Sequence, residues 1–343
     1  PISYHIVRDD NGEGGLPLYR IDDSLVDLNT AYEGTGLYFY QLGNIDFINN
    51  SEYYTEIDSY DEINALRNVN SIDNSLNVYC VANLSNGSAD LCGISTFTSN
   101  SSSQGIVMNN DCFATHENRS TFAHEVGHYF DLLHTHTGSV DPDENGVIDG
   151  PNSEFVDGTS CDSRGDGLCD TPADPNLDDY VSNNCYYTAD FVDGHGDFYS
   201  PDTSNFMSYS EKDCRDSFSN QQLEVALSTY DIHRSELNYP PLNPFISLYS
   251  YNVLESTGNE DSMINPGESI QIQVELKNWS PWPAAIDSEL SLSSNSDCIE
   301  VINGLNDIGT IESGTIYNNQ DNPFLIEVSN QCSLGQKELQ LDF

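Results

Sequence analysis

The residues best equipped for chemistry crowd into one stretch, "STFAHEVGHYFDLLHTH", residues 120–136, which holds four of the chain's eight histidines. His124 and His128 are four positions apart. On a helix that spacing puts both imidazoles on one face, about 6 Å apart along the axis. Two imidazoles so placed can converge on one cation, and neutral imidazole suits zinc. Glu125 directly follows the first histidine, which sets a carboxylate beside the metal without making it a ligand. In this H-E-x-x-H arrangement the glutamate is the natural general base for a metal-activated water. Zinc in enzymes usually takes three protein ligands and keeps one position open. His134 is the expected third ligand and His136 its rival; "NGVIDG", residues 145–150, offers no glutamate in a helical setting.

These side chains need particular elements to hold them. A straight helix would carry His134 about 9 Å beyond His128, out of reach of a shared ion. The helix must therefore stop and turn back between them. Glycine is the usual residue for such a turn, and Asp and Asn are the next most tolerant of positive φ. Asp131 stands at that point and is predicted to take the left-handed, helix-ending position. Ser120 and Thr121 offer N-cap oxygens, and Phe122, Val126, Phe130 and Leu133 recur at helical spacing. Upstream, "ISYHIV" alternates as a strand does, and "DSLVDLNTAYEG" reads as a helix with Leu25, Leu28 and Tyr32 on one face. "GLYFYQLGNIDFI" and "SLNVYCVANL" are strand-like; "ADLCGISTF" and "GIVMNN" are shorter candidates. One strand just before the active helix should be an edge that pairs with extended substrate. Downstream, "SNQQLEVALSTYDIHRSEL" reads as a helix opened by a Ser219–Gln222 capping box.

With His134 included, H-E-V-G-H-Y-F-D-L-L-H resembles the zinc motif of the metzincin proteases, with Asp131 in place of their glycine. "SNFMSYS", residues 204–210, is similar to the methionine turn of that clan, Met207 being a soft apolar floor and not a ligand. "GDGLCDTPADPN", residues 165–176, followed by a cysteine and N-F-M-S-Y, looks like the pappalysin family specifically, its bacterial members in particular. The resemblance implies an α+β metzincin-like catalytic domain: a mixed twisted sheet, an active-site helix and a loop-rich C-terminal subdomain. It implies an endopeptidase acting on protein or peptide with one catalytic zinc. Tyr209 would reach toward the metal and steady the oxyanion. Asp213 would lie in the pocket for the residue just after the cut and favour Arg or Lys there, although Lys212 and Arg215 flank it and are placed to neutralise it. Broad gelatinase-like cleavage is the alternative. Two further readings are a catalytically idle, calcium-stabilised adhesion or binding protein, which the intact Glu125 disfavours, and a zinc hydrolase acting on something other than peptides.

"DPDENGVIDG", residues 141–150, follows D-x-D-x-N-G-x-x-D, the front of an EF-hand-type loop. Position twelve is Asn152, where that loop needs a glutamate. A calcium loop that is not an EF-hand is expected, with Asp141, Asp143, Asn145 and Asp149 as ligands and Val147 giving a backbone oxygen. A second acidic cluster, Asp162, Asp166 and Asp170 with Thr171, sits beside the "DTP" string, where the resemblance implies structural calcium.

The 343 residues suffice for two domains. A catalytic domain over 1–240 is followed by the proline-rich "YPPLNPF", residues 239–245, which reads as a linker. Beyond it, "ISLYSYNV", "SIQIQVELKNW", "SELSLSS", "PFLIEVSN" and "KELQLDF" are short alternating strands. They predict an all-β sandwich of immunoglobulin or fibronectin type over 246–343, with no catalytic constellation. Ten Lys and Arg against 56 Asp and Glu give a formal charge of −46. That excludes nucleic acid as a partner and disfavours an anionic membrane surface. No apolar run approaches the ~20 residues of a membrane helix. Such acidity suits bound calcium, steering of basic substrates, or a salty habitat, the last pointing to a marine or halotolerant bacterium. Nine cysteines point to an oxidising compartment, and so to a secreted monomer. "PISYHIV" reads as a first strand, with any leader already removed. The expected pairs are Cys185–Cys214, Cys161–Cys169, Cys80–Cys92 and Cys298–Cys332, with Cys112 left over as a buried apolar residue.

Overall fold

Strand β1 (Ile2–Arg8) is buried on both faces, as a central parallel strand must be. The computed structural model describes residues 1–343 except 101, 102, 117, 239, 240, 242, 259–263, 280, 281 and 336. β1 pairs in parallel with β2 (Asp46–Asn49) on one side and β3 (Leu76–Val81) on the other. The mostly apolar run "LNVYCV", buried throughout, fits β3's place inside the sheet. β4 (Gly93–Ile94) runs antiparallel along β5 (Ile106–Asn109), so the order is β2-β1-β3-β5-β4 and β4 is an edge. The strand expected across "GLYFYQLGNIDFI" is mostly absent. Gly43 turns the chain at φ 69°, and the Asn29 side chain bonds both backbone groups of Phe39 in place of a neighbouring strand.

Helix α1 (Tyr19–Ala31) buries Ile21, Leu25 and Leu28 and packs against α4 (Thr121–Tyr129). Two short helices, α2 (Ser51–Thr55) and α3 (Tyr60–Leu66), are each opened by a side-chain cap, Asn50 and Ser59. After α4 regular structure thins to the two-residue strands β6 (Val147–Ile148) and β7 (Val192–Asp193), until α5 (Asn220–His233). The predicted Ser219–Gln222 capping box opens α5, both bonds being present.

The chain divides into two compact units, Pro1–Tyr239 and Pro240–Phe343. Residues 239, 240 and 242 of the expected linker lie outside the described residues. Among its described residues the second unit holds eight strands: β8 (Ile246–Thr257), β9 (Ser269–Asn278), β10 (Ala285–Ser293), β11 (Ile299–Asn303), β12 (Leu305–Ile311), β13 (Ile316–Asn318), β14 (Phe324–Val328) and β15 (Gln340–Asp342). One sheet runs β11-β14-β9-β13 with β8 also on β9; the other runs β12-β10-β15. Both sheets give side chains to one apolar core, among them Ile270 and Leu276 of β9, Leu290 of β10 and Phe324 of β14.

Three of the expected disulfides are formed: Cys161–Cys169, Cys185–Cys214 and Cys298–Cys332. The fourth differs. Cys92 pairs with Cys112, and Cys80 is the free thiol. The strand pairing explains it. Asn109 N–H donates to Cys92 O at 2.9 Å, which brings residue 92 beside the turn after β5, whereas Cys80 is fully buried within β3.

Candidate active site

Helix α4 is buried along its whole length. Its cap is Asn118, whose Oδ1 accepts from the Thr121 N–H at 3.2 Å and hydroxyl at 2.6 Å. Ser120, an expected cap, instead donates its hydroxyl to Lys212 O at 2.9 Å. The helix stops as the histidine spacing requires. Asp131 has φ 65°; its N–H donates to His128 O at 2.9 Å, and Leu132 N–H donates to Gly127 O at 3.0 Å. This is a Schellman cap with aspartate in the usual glycine position. The carboxylate accounts for the choice. It accepts from Thr98 N–H at 2.7 Å and from the Thr98 hydroxyl, so the residue that ends the helix also anchors the segment after β4. Arg234, just beyond α5, closes the same end: its guanidinium lies 3.7 Å over the Tyr129 ring and donates to Tyr129 O and Thr96 O.

The turn brings His134 back. Its Nε2 lies 3.2 Å from that of His124 and 2.9 Å from that of His128. His124 Nδ1 donates to Phe206 O at 2.7 Å and His128 Nδ1 to Leu132 O at 2.8 Å. A carbonyl oxygen can only accept, so each of these rings carries its proton on Nδ1 and presents a bare lone pair at Nε2. Burial and the neighbouring imidazoles hold His124 and His134 well below the ordinary histidine range. Two bare Nε2 lone pairs thus converge on the Nε2 of His134. The donor set therefore fits zinc, which is bound by neutral imidazole. His136 is not in the converging set; its ring stacks on His134 with centroids 4.9 Å apart.

Glu125 is 6% exposed, and burial pushes its carboxyl up to about 8 against the opposing pull of Arg67 and Arg215. A Cβ at Gly93 would come within 2.6 Å of Glu125 Cγ, so the glycine of β4 makes room for the carboxylate. Met207 is fully buried beneath the helix, and a Cβ at Gly127 would meet its sulfur at 2.5 Å. Glycine inside a helix is unfavourable by itself; here it admits the methionine, and that mid-helix glycine was a readable signal of close approach. The turn is pinned to α5, because Asn205 bonds Met207 N–H and exchanges two bonds with Gln222 of the capping box. The Tyr209 ring packs 4.6 Å from His134 and 4.4 Å from His136.

Behind the third histidine lies a carboxylate that the sequence left without a role. Asp174 of the "DTPADP" string accepts from the Thr135 hydroxyl at 2.5 Å, and Thr135 N–H donates to Met207 O at 3.1 Å. Glu154, Asp166 and Asp174 are all buried, and burial, with repulsion from nearby carboxylates, raises them to about 8, 6 and 6. Glu154 Oε2 and Asp166 Oδ2 have no hydrogen-bond partner. Of the second expected calcium set, Thr171 donates its hydroxyl to Asp166, Asp162 is exposed, and Asp170 accepts from Ser219 and Gln221 at the start of α5. In the first set, Asp141, Asp143, Asn145 and Asp149 are exposed, and Asp143 Oδ1 accepts from the N–H groups of Asn145 and Val147. Glu154 has no sequence signal that would have joined it to Asp166. Asp213 is exposed on the rim of a pocket shared with Lys212 and Arg215.

A histidine triad able to hold a metal ion, on a helix that folds back over a methionine turn beside a parallel sheet with an antiparallel edge strand, supports a metzincin-type metalloprotease. Residues 19–135 match the family model described as Metallo-peptidase family M12B Reprolysin-like, from the start of α1 to just past His134. The match supports that class and stops short of the strings at 165–176 and 204–210 that carried the pappalysin resemblance. No curated protein matches the chain.

Proposed function

We propose that the chain is a secreted, pappalysin-like zinc endopeptidase in which Glu125 is the general base. The observation that carries this is the convergence of three Nε2 atoms beside a buried glutamate. His124, His128 and His134 would hold the ion, which when bound lowers the pKa of a water and polarises the scissile carbonyl. Glu125 accepts the proton from the attacking water and passes it to the leaving amine. Its raised proton affinity suits that shuttle, since it can hold the proton between the two steps. The Tyr209 phenol, packed on His134, donates to the oxyanion. Edge strand β4 is the place where an extended peptide would add to the sheet.

In the same reading, calcium orders the stretch after α4. The unpartnered oxygens of Glu154 and Asp166 fit a hard cation better than they fit each other. The exposed loop at Asp141–Asp149 is the second candidate. The strands beyond residue 245 form a β-sandwich with an accessory role. Zinc content and casein cleavage, measured for the native chain and for Glu125→Gln, test the central claim. Equal zinc in both, with chelator-sensitive cleavage in the native chain alone, is the expected result. Zinc-loaded native protein that cuts nothing favours the idle binding protein.

A further inference from the structure

Arg215 is the most conspicuous charge outside the triad. It is 9% exposed, yet its polar contacts amount to one bond, Nη1 to Ser208 O at 3.3 Å, and its Nε has no partner. Among the described residues no carboxylate comes within 4.0 Å of its guanidinium or of the Lys212 ammonium. The Lys212 ammonium instead touches the sulfurs of Cys92 and Cys112. Glu125 and Glu211 act on the guanidinium only from beyond contact distance, and a buried guanidinium with no carboxylate in contact carries a large desolvation cost. In a chain with only ten Lys and Arg against 56 acids, a missing partner is all the more unusual.

Both cations line an open pocket of about 620 Å³. Its other charged walls, Asp27, Arg119, Asp213 and Asp216, form no ion pair with either of them. Arg119 pairs with Asp27 at 3.7 Å, and Asp213 and Asp216 are exposed. The pocket lies next to the zinc site. Phe206, part of its lining, accepts from His124 Nδ1, and Lys212 O accepts from Ser120, the residue before α4.

We propose that Arg215, supported by Lys212, is a specificity-determining residue that receives a substrate carboxylate beside the scissile bond. The proposal rests on the zinc-peptidase reading and names its substrate class: peptides with an acidic group close to the cut. It reverses the preference for Arg or Lys that resemblance attached to Asp213. The carboxylate has two possible sources, an Asp or Glu side chain near the cut and the free C-terminus of a short peptide. The guanidinium fork suits either by a paired, charge-assisted bond. The surrounding field favours neither, because a protein of charge −46 repels acidic peptides at long range. The preference must therefore come from short-range contact. Salt screens the long-range repulsion and barely touches a desolvated pair, so cleavage of acidic peptides should rise with ionic strength.

The test uses the zinc-loaded full chain and a set of otherwise identical peptides. Glu, Gln, Leu or Arg is varied in turn over the two positions on either side of the cut, each with a free or an amidated C-terminus. The expected result is a Glu-over-Gln ratio in kcat/KM of about ten to a hundred at one position, the range of a charge-assisted bond. If the chain terminus is the ligand, amidation causes the loss instead. Arg215→Met should collapse the ratio towards one, Arg215→Lys should restore part of it, and Lys212→Met should lower it by a smaller factor. Zinc content is measured for each variant. Lys212→Met still decides the matter if Arg215→Met fails to fold. A preference for Arg, or a Glu-to-Gln ratio near one with no effect of amidation, overturns the proposal and leaves the peptidase reading standing. An Arg215→Met variant that loses activity on all peptides equally shows a purely structural arginine and also overturns it. An enzyme that cuts none of the set overturns both readings.

Discussion

Between β1 and Asp131 the chain buries Val7, Ile57, Ile63, Leu66, Val81 and Val107 in one apolar core, whereas the loop-rich stretch that follows, up to Ser219, has a core of Ile148, Ala173 and Tyr199 with a few partly buried neighbours. The first region is held by the hydrophobic effect and a parallel sheet. The second is held by Asp-centred turns at Asp143, Asp157, Asp193 and Asp202, by two disulfides, and by buried carboxylates with unfilled valence. The two also divide the site between them. The layer supplies His124, His128 and Glu125; the loops supply the bond behind His134, the methionine floor and Tyr209. The comparison teaches that the chemistry rests on the robust region, while the alignment of the third ligand rests on a region sensitive to solution conditions.

The largest expected effect tests the robust half. Glu125→Gln should cut kcat/KM by about a thousandfold or more while leaving the melting temperature and zinc content near native. A loss below about tenfold would remove Glu125 as the base. Next comes a packing change in the same layer. Ile63→Ala should cost about 2–5 kcal/mol in urea unfolding, equally with and without calcium. A cost that grows when calcium is stripped would show that the halves are not energetically separate.

The loop region should answer to pH and calcium instead. Glu154, Asp166 and Asp174 have folded-state values raised to about 8, 6 and 6. Between pH 5 and 8 the folded calcium-free chain thus holds protons that the unfolded chain has released. The stability these protons contribute is complete only below the unfolded values of 4.5, 3.8 and 3.8, and it falls across this window as pH rises through the folded ones. The melting temperature of chelated protein should drop by roughly 5 °C over that window. Calcium should flatten the slope, and Glu154→Gln should flatten it without calcium. A chelated sample equally stable at both ends of the range contradicts the cluster's role. The smallest effects lie where the two halves meet. Gly127→Ala should cost about 1–3 kcal/mol by pressing on Met207. Asp131→Gly should nearly balance, since relief of left-handed strain of about 1 kcal/mol offsets the lost bonds to Thr98.

The converging histidines, the helix and its stopping point were legible because each follows from helical geometry. Four residues place His128 over His124, and six demand a break, which Asp131 supplies. The capping box at Ser219 and the free-standing runs of β1 and β3 were readable for the same local reasons. What could not be read depended on distant contact. Cys92 meets Cys112 only because β4 turns back along β5. Asn118 displaces Ser120 as the cap because Ser120 is drawn to Lys212 O, 92 positions away. Glu154 comes near Asp166, and Arg215 has no carboxylate in contact among the described residues, through folding of a stretch with almost no periodic pattern.

The clasp of Arg234 over Tyr129 bears on how the enzyme can be trimmed. A fragment ending at Ser219 would contain every motif residue and still lack the cation that closes the end of the zinc helix. The Tyr129 carbonyl and the Thr96 backbone would lose their donor, and the turn at Asp131 would be left to fray. The smallest piece worth expressing for catalysis therefore runs through Leu237, beyond the last residue that a motif search would mark.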